Sequence, residues 1–175
     1  MSNYKINLHG IKAFAFDVDG VFTDGSLLVD NDGYFLRVYN AKDGYAVRQA
    51  VLQGYYVAII TGGVAASIKH RFKDLGVTDI FLLSENKIED FKTFCMRHNI
   101  NAAEVLFMGD DIPDIEVMNT CGIACCPADA VPEVKNAASY ISNFDGGKGC
   151  VRDVIEQVMK VQGKWNTYAN KTKSE

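Results

Sequence analysis

The sequence predicts an α/β fold: a doubly wound, Rossmann-like parallel sheet with helices on both faces and one projecting β-hairpin. Short apolar runs recur along the chain, and stretches with helical spacing lie between them. Strands that alternate with helices in this way form parallel sheets covered on both faces. Such sheets bind ligands at the carboxyl ends of their strands, so the residues that follow each strand are the first candidates for a site.

The predicted strands are short and apolar. The first, at residues 11–17, is nearly unbroken and ends on a carboxylate, which is typical of a buried parallel strand. Similar runs follow at residues 55–60, 80–83 and 105–108, and a weaker one at 122–126. These runs predict the strands of one parallel sheet.

Three stretches between these strands have helical spacing, at residues 45–52, 64–75 and 88–100, and Gly76 is placed to end the second of them. Residues 26–39 break the alternation, because two apolar runs there flank the turn sequence Asp-Asn-Asp-Gly. This pattern predicts a β-hairpin between the first strand and the first helix.

Length and composition predict one domain at residues 1–162, followed by a tail at 163–175 without periodicity. The net charge of −4 and the absence of a basic stripe argue against a nucleic-acid partner. No apolar run approaches the roughly 20 residues that cross a bilayer, and no leader pattern is visible. The five cysteines lack disulfide-framework spacing, so we expect reduced thiols and a cytoplasmic protein.

Acidic and phosphate-binding residue types follow the predicted strands. Because parallel strands end at the same edge of a sheet, we expect these side chains to lie close together. The candidates are Asp17, Asp19 and Asp24 after the first strand, Thr61, Gly62 and Gly63 after the second, Lys87 after the third, and Asp110, Asp111 and Asp114 after the fourth.

Several carboxylates in one cleft repel each other by about 4 kcal/mol per pair at 4 Å and an effective dielectric near 20. A bound cation or raised pKa values must compensate, and oxygen ligands of this kind suit Mg²⁺. Asp17 is then the natural nucleophile, and Asp19 is placed to act as general acid and base. Thr61 and Lys87 supply the donors that a phosphate oxygen needs. Each motif alone also occurs in ordinary turns, so the prediction depends on their combination.

These residues resemble the haloacid dehalogenase superfamily of phosphohydrolases. Residues 17–25 are similar to its first motif, Thr61 to its second, Lys87 to its third and residues 109–114 to its fourth. The resemblance implies that Mg²⁺ is bound by the carboxylates of Asp17 and Asp110 and by the main-chain carbonyl of Asp19. It also implies that Asp111 and Asp114 support these ligands.

Further motifs resemble the capless subfamily, which acts on phosphates of keto-deoxy sugar acids. They are Thr23-Asp24-Gly25 before the hairpin, Asp43-Gly44, Arg71 with Gly76, and the glycine-rich run from Gly146 to Arg152. The resemblance implies that no cap domain is present and that Thr23, Asp24, Gly62, Gly63 and Arg71 bind the substrate. It also implies a homotetramer in which four hairpins form a central barrel and each subunit closes its neighbour's cleft.

Alternatives to the leading function stay open at this point. The resemblance favours 3-deoxy-D-manno-octulosonate 8-phosphate as the small-molecule substrate, with a nine-carbon acid, 3-deoxy-D-glycero-D-galacto-nononate 9-phosphate, as the alternative. A non-catalytic oligomerisation module of the kind fused to cytidylyl-sugar synthetases would have lost the nucleophile or the lysine, and this chain keeps both. A response-regulator receiver would lack the hairpin and the paired Asp17 and Asp19.

Overall fold

The computed structural model describes residues 4–64 and 66–165. Within them, six parallel strands form one sheet, and the two strands of the hairpin form a second, antiparallel one. The strands are β1 (Ala13–Phe16), β2 (Leu28–Val29), β3 (Phe35–Leu36), β4 (Tyr56–Ile60), β5 (Asp79–Phe81), β6 (Val105–Met108), β7 (Ile123–Cys126) and β8 (Tyr140–Ile141). The large sheet has the order β5-β4-β1-β6-β7-β8.

Helices cover both faces of the large sheet. They are α1 (Tyr4–Asn7), α2 (Ala41–Leu52), α3 (Ala66–Asp74), α4 (Lys87–His98), α5 (Ile115–Met118), α6 (Pro132–Ala137) and α7 (Cys150–Val161). The central strand β1 separates two cores by the alternation of its side chains. Phe14 and Phe16 pack with α2, α3 and α7, whereas Ala13 and Ala15 face the core formed by α4, α5 and α6. The predicted doubly wound fold is confirmed.

The hairpin projects as predicted. Val29 pairs with Phe35 and Leu28 with Leu36, and the Asp30 carboxylate stabilises the turn by accepting the amides of Asp32 and Tyr34. The strands are two residues each, and their side chains are exposed. In the part of the chain that the structure describes, the hairpin and α2 are the helix and strand elements between β1 and β4. These elements are too small to form a cap domain, and the described residues contain none.

Some predicted boundaries are wrong. The third strand was expected at residues 80–83 but ends at Phe81, because Leu83 adopts a positive φ of 53° that no strand continues through. The first helix begins at Ala41, four residues before the predicted start, where Asn40 caps it by accepting the amide of Lys42. The sequence interpretation also missed α1, α5, α6, α7 and β8.

The predicted tail lies mostly outside the described residues. Its described beginning continues to pack on α7, since the amides of Lys164 and Trp165 donate to the carbonyl of Met159. The Trp165 ring contacts Tyr45 edge-on at 6.2 Å between centroids, and the Arg152 guanidinium lies over it. Among the described residues, no helix combines the length and the apolar character needed to cross a bilayer.

Candidate active site

A cavity of about 450 Å³ lies at the carboxyl ends of β1, β4 and β6. The chain leaves β1 for β4 on one side and reaches β6 on the other, so this is the switch point at which doubly wound sheets bind ligands. The lining residues are Asp17, Asp19, Gly20, Gly25, Thr61, Gly62, Gly63, Ser84, Glu85, Lys87, Asp110, Asp111 and Pro113. Eight of the sequence-predicted site residues therefore meet here, as the parallel sheet requires.

Asp17 is buried at the end of β1. Its Oδ1 accepts the amide of Val18 at 2.6 Å, and its Oδ2 pairs with Lys87 Nζ at 2.8 Å. Burial and the nearby charge of Asp114 raise the pKa of Asp17 to about 6, although Lys87 opposes this rise. The carboxylate is thus held in one orientation and is poorly solvated, which suits a nucleophile.

Lys87 opens α4 and links two carboxylates. Its Nζ lies 2.8 Å from Asp17 Oδ2 and 2.7 Å from Asp114 Oδ1. Burial alone would lower the pKa of Lys87, but the two carboxylates raise it above its usual value. Lys87 is therefore a fixed cation beside the Asp17 carboxylate, at the wall of the cavity.

Asp114 is fully buried and organises the loop after β6. Its Oδ2 accepts the amides of Asp110 at 3.0 Å and Asp111 at 3.3 Å, while its Oδ1 binds Lys87. The Asp111 side chain in turn caps the following turn by accepting the amide of Ile112 at 2.8 Å. Both oxygens of Asp114 are thus engaged by protein donors, which is the arrangement expected of a positioning residue.

Asp110 is the acidic residue of the site whose carboxylate charge is not balanced by a protein donor in the described part of the chain. Its Oδ1 is buried without a hydrogen-bond partner among the described residues. Burial first, and the charges of Asp17 and Asp114 second, raise the pKa of Asp110 to about 8. A buried acceptor of this kind requires a cation or a proton.

The acidic residues fit a hard divalent cation. One oxygen each from Asp17, Asp110 and Asp114 lie within 4.8 Å of one another. Asp17 and Asp110 line the cavity and Asp114 does not, so Asp17 and Asp110 are the carboxylates placed for direct coordination. An all-oxygen set with one or two carboxylates and space for water and phosphate suits Mg²⁺.

The loop after β1 is shaped by Thr23 and Gly20. The buried Thr23 hydroxyl accepts the amides of Gly20 at 3.3 Å and Gly25 at 3.2 Å, so its side chain holds the loop and does not line the cavity. Gly20 has φ of 81°, and a Cβ there would collide with the Asp110 carboxylate. Only glycine allows these two acidic loops to approach each other.

The loop after β4 completes the cavity with a hydroxyl and two glycines. Thr61 Oγ1 accepts the amide of Gly63 at 3.1 Å, which leaves its proton free to donate towards the cavity. Gly62 and Gly63 line the wall without side chains. This arrangement gives a phosphoryl group access to Thr61 from the cavity side.

Two predicted substrate-binding residues lie away from the cavity. Asp24 has a side chain that is 49% exposed, accepts the amide of Ser26 and lies 3.7 Å from Lys148. The Arg71 guanidinium packs over the Tyr39 ring, 5.9 Å from its centroid, and contacts Gly44. Within a single chain, neither Asp24 nor Arg71 lines the cavity.

Two further contributors lie near the site, and sequence reasoning gave neither of them a role there. Arg37, from the hairpin, pairs with Asp19 through two hydrogen bonds. The glycine-rich loop before α7 packs on the first motif, since the Gly147 amide donates to the Val21 carbonyl at 2.9 Å and a Cβ at Gly146 would collide with Gly20. The glycines were a visible signal for close packing, whereas nothing local marked Arg37.

Comparison with known proteins identifies the family. Residues 78–152 match the haloacid dehalogenase-like hydrolase family. Over 154 residues the chain is 36% identical to the 3-deoxy-D-manno-octulosonate 8-phosphate phosphatase KdsC of Escherichia coli K12, covering 88% of this chain and 82% of that protein.

Solved structures agree with this relationship. The 3-deoxy-D-manno-octulosonate 8-phosphate phosphatase of Yersinia pestis superposes with a TM-score of 0.91 at 31% identity, over 93% of this chain and 88% of that one. The phosphatase of the same name from Moraxella catarrhalis, in complex with magnesium, phosphate and a KDO molecule, gives 0.93 at 26% identity, over 99% of both chains. This chain therefore belongs to the haloacid dehalogenase-like hydrolases and is a phosphoric monoester hydrolase.

Proposed function

We propose that this chain hydrolyses 3-deoxy-D-manno-octulosonate 8-phosphate with Mg²⁺ through an aspartyl-phosphate on Asp17. The observation that carries the proposal is the buried Asp17 held by Lys87 beside the unpartnered oxygen of Asp110. The names of the Escherichia coli and Yersinia pestis relatives support the substrate. The magnesium, phosphate and KDO bound by the Moraxella catarrhalis relative support the cofactor and the ligand class.

The proposed reaction has two steps. The Asp17 carboxylate attacks phosphorus and the bond to the sugar oxygen breaks, while Asp19 gives its proton to that leaving oxygen. Asp19 then takes a proton from a water molecule that attacks the aspartyl-phosphate, which releases phosphate and restores Asp17. Thr61 and Lys87 donate hydrogen bonds to the phosphoryl oxygens throughout.

The metal roles belong to the same proposal. Asp17 and Asp110 would hold Mg²⁺ through carboxylate oxygens and Asp19 through its carbonyl, with Asp111 and Asp114 fixing the loop. When bound, the ion neutralises charge on the phosphoryl group and the acidic residues. Gly62 and Gly63 would form the substrate wall and Thr23 would shape it, whereas substrate roles for Asp24 and Arg71 stay predictions.

Steady-state kinetics on a panel of sugar phosphates tests the substrate. We expect the highest kcat/KM for the eight-carbon keto acid, with the nine-carbon acid 3-deoxy-D-glycero-D-galacto-nononate 9-phosphate next and neutral pentose and hexose phosphates roughly 100-fold or more below. A higher kcat/KM for the nine-carbon acid would identify that acid phosphate as the substrate. Equal kcat/KM for the acid and the neutral sugar phosphates would show that the enzyme is not specific for sugar acids.

We also propose that the chain assembles as a homotetramer through its hairpins. Val38 is 86% exposed and Leu28 is 67% exposed, and the neighbouring Leu27, Val29, Tyr34, Phe35 and Leu36 are exposed as well. Two-residue strands with this much exposed apolar surface are marginally stable alone, and closure into a barrel would remove their edges. The five free thiols suit the reducing cytoplasm, which we propose as the compartment.

Replacing Phe35 and Val38 together by lysine should give smaller particles in sedimentation, because buried lysines would repel each other across the barrel. We expect kcat/KM to fall most for the largest sugar phosphate, since a neighbour would no longer close the cleft. Leu52 and Met96, exposed at 64% and 73% outside the hairpin, provide the matched double lysine control. A wild-type protein that sediments as a monomer at micromolar concentration would refute the tetramer.

A further inference from the structure

Arg37 occupies an unusual position for a hairpin residue. Its side chain is only 3% exposed, although it leaves a strand whose neighbours face solvent. Its Nε donates to Asp19 Oδ1 at 2.7 Å and its Nη2 to Asp19 Oδ2 at 2.8 Å, which is the bidentate geometry in which guanidinium and carboxylate pair most strongly. Its remaining nitrogen donates to the carbonyl of Phe35 at 3.3 Å.

This pair conflicts with the proposed role of Asp19. Both carboxylate oxygens are held by Arg37, and one of them also accepts from Thr23 at 3.5 Å. An oxygen held by a cation is not available to face a sugar oxygen as that oxygen leaves phosphorus. The pair therefore must open before Asp19 can act, and something must take over the guanidinium, since a buried cation without a partner is costly.

The pair lies at the edge of the catalytic cavity. Asp19 and Gly63 line the cavity, and a Cβ at Gly63 would lie 3.1 Å from Arg37 Nη2 and 3.4 Å from Thr61 Oγ1. The missing side chain of Gly63 thus leaves room for the guanidinium beside the Thr61 hydroxyl.

We propose that Arg37 is a specificity-determining residue that holds Asp19 inactive until the carboxylate of a keto-acid substrate replaces Asp19 on the guanidinium. The exchange conserves the number of ion pairs, because one carboxylate leaves Arg37 as another arrives. Asp19 then turns to the sugar oxygen. A neutral sugar phosphate can fill the phosphate site but offers Arg37 no carboxylate, so it leaves Asp19 held. The inference depends on the proposed function, whose substrate supplies the carboxylate.

The test compares two substrates in several variants. We use 3-deoxy-D-manno-octulosonate 8-phosphate, which carries a carboxylate, and D-arabinose 5-phosphate, which carries none. In Arg37→Ala we expect kcat/KM to fall about 10- to 100-fold on the keto acid, which loses one charge-assisted hydrogen-bond pair. On arabinose 5-phosphate it should stay level or rise, because Asp19 is no longer held. The ratio of the two efficiencies is the readout, and a merely structural role would not change it.

Arg37→Lys keeps the charge and the buried stem but loses the planar fork, so it should give an intermediate ratio. It also keeps the test valid if Arg37→Ala fails to fold. Arg48→Ala is the matched control, because Arg48 is an exposed arginine on α2 that should leave both efficiencies unchanged. Titration calorimetry with phosphate-free 3-deoxy-D-manno-octulosonate adds a binding readout, and its affinity should fall about tenfold in Arg37→Lys.

Equal losses on both substrates in the arginine variants would overturn the proposal in favour of a phosphoryl-binding or structural role. Unchanged efficiency on both would overturn it as well. The wild-type rates separately test the proposed function: a wild-type enzyme that prefers the keto acid, combined with an unchanged ratio in Arg37→Lys, refutes the role of Arg37 alone. Wild-type efficiency that is equal on both substrates refutes the proposed substrate.

Discussion

Replacing Asp17 by asparagine is expected to lower turnover about 10⁴-fold or more while the fold stays intact. The amide keeps the shape of the side chain but cannot form the acyl-phosphate, and the loss of an attacking group reduces catalysis by such factors in other enzymes. Lys87 retains Asp114 as a partner at 2.7 Å, so the substitution leaves no isolated buried cation. Steady-state rates and phosphate release in a single turnover would measure the loss.

The same substitution should raise the stability of the metal-free protein. Asp17 is ionised at pH 8 although burial and Asp114 disfavour its charge, and asparagine removes this cost. We therefore expect a higher unfolding midpoint without Mg²⁺ and a smaller gain when Mg²⁺ is added. Asp74→Asn, at an exposed aspartate, is the matched control and should change neither property. Turnover within tenfold of the wild type would exclude Asp17 as the nucleophile.

The positions of the acidic residues could be predicted because they depend on local pattern and one topological rule. The apolar run before Asp17 and the one before Asp110 each predict a buried strand, and parallel strands bring their carboxyl ends together. The same rule places Asp17 and Asp110 close enough to need a cation, and it brings Lys87, at the start of the helix after β5, to the same edge of the sheet.

Other features depend on long-range packing that a single sequence does not encode locally. Arg37 is 18 residues from Asp19, and its side chain is buried because it reaches from the hairpin to Asp19 beside Gly63. Asp43 is similar: it is fully buried on α2, and its carboxylate accepts the first-turn amide of Arg152 on α7, 109 residues away. Helix α7, which the sequence interpretation missed, could have been predicted, because its buried residues repeat with helical spacing from Cys150 to Met159.

Removing Mg²⁺ should abolish turnover and destabilise the protein in a pH-dependent way. Without the cation, the cluster at Asp17 and Asp110 has too much negative charge to accept a phosphate, so we expect activity to fall more than about 10³-fold with a strong chelator. The pKa values of these two acids are raised to about 6 and about 8 from the usual value of 3.8. Raised carboxyl pKa values mean that the folded state disfavours the ionised forms.

The sign of the stability effect follows from this shift. Well below pH 3.8 both acids are protonated in the folded and unfolded chains, so the folded metal-free protein bears no charge cost there. As the pH rises above this value the unfolded chain loses these protons first, so the free energy of unfolding falls until about pH 6 for Asp17 and about pH 8 for Asp110. Mg²⁺ removes this cost by pairing with both carboxylates. Its stabilising effect should therefore be larger at pH 8 than at pH 5, by roughly 3–8 °C in the unfolding midpoint.

Differential scanning calorimetry at pH 5 and pH 8, with Mg²⁺ or with chelator at matched ionic strength, would measure the difference. Asp110→Asn should remove most of the pH dependence, because it deletes the acid whose pKa is raised to about 8, and it should bind Mg²⁺ more weakly. Full activity in the presence of a strong chelator would remove the metal from the reaction. An equal Mg²⁺ stabilisation at both pH values would show that these two carboxylates are not what the ion neutralises.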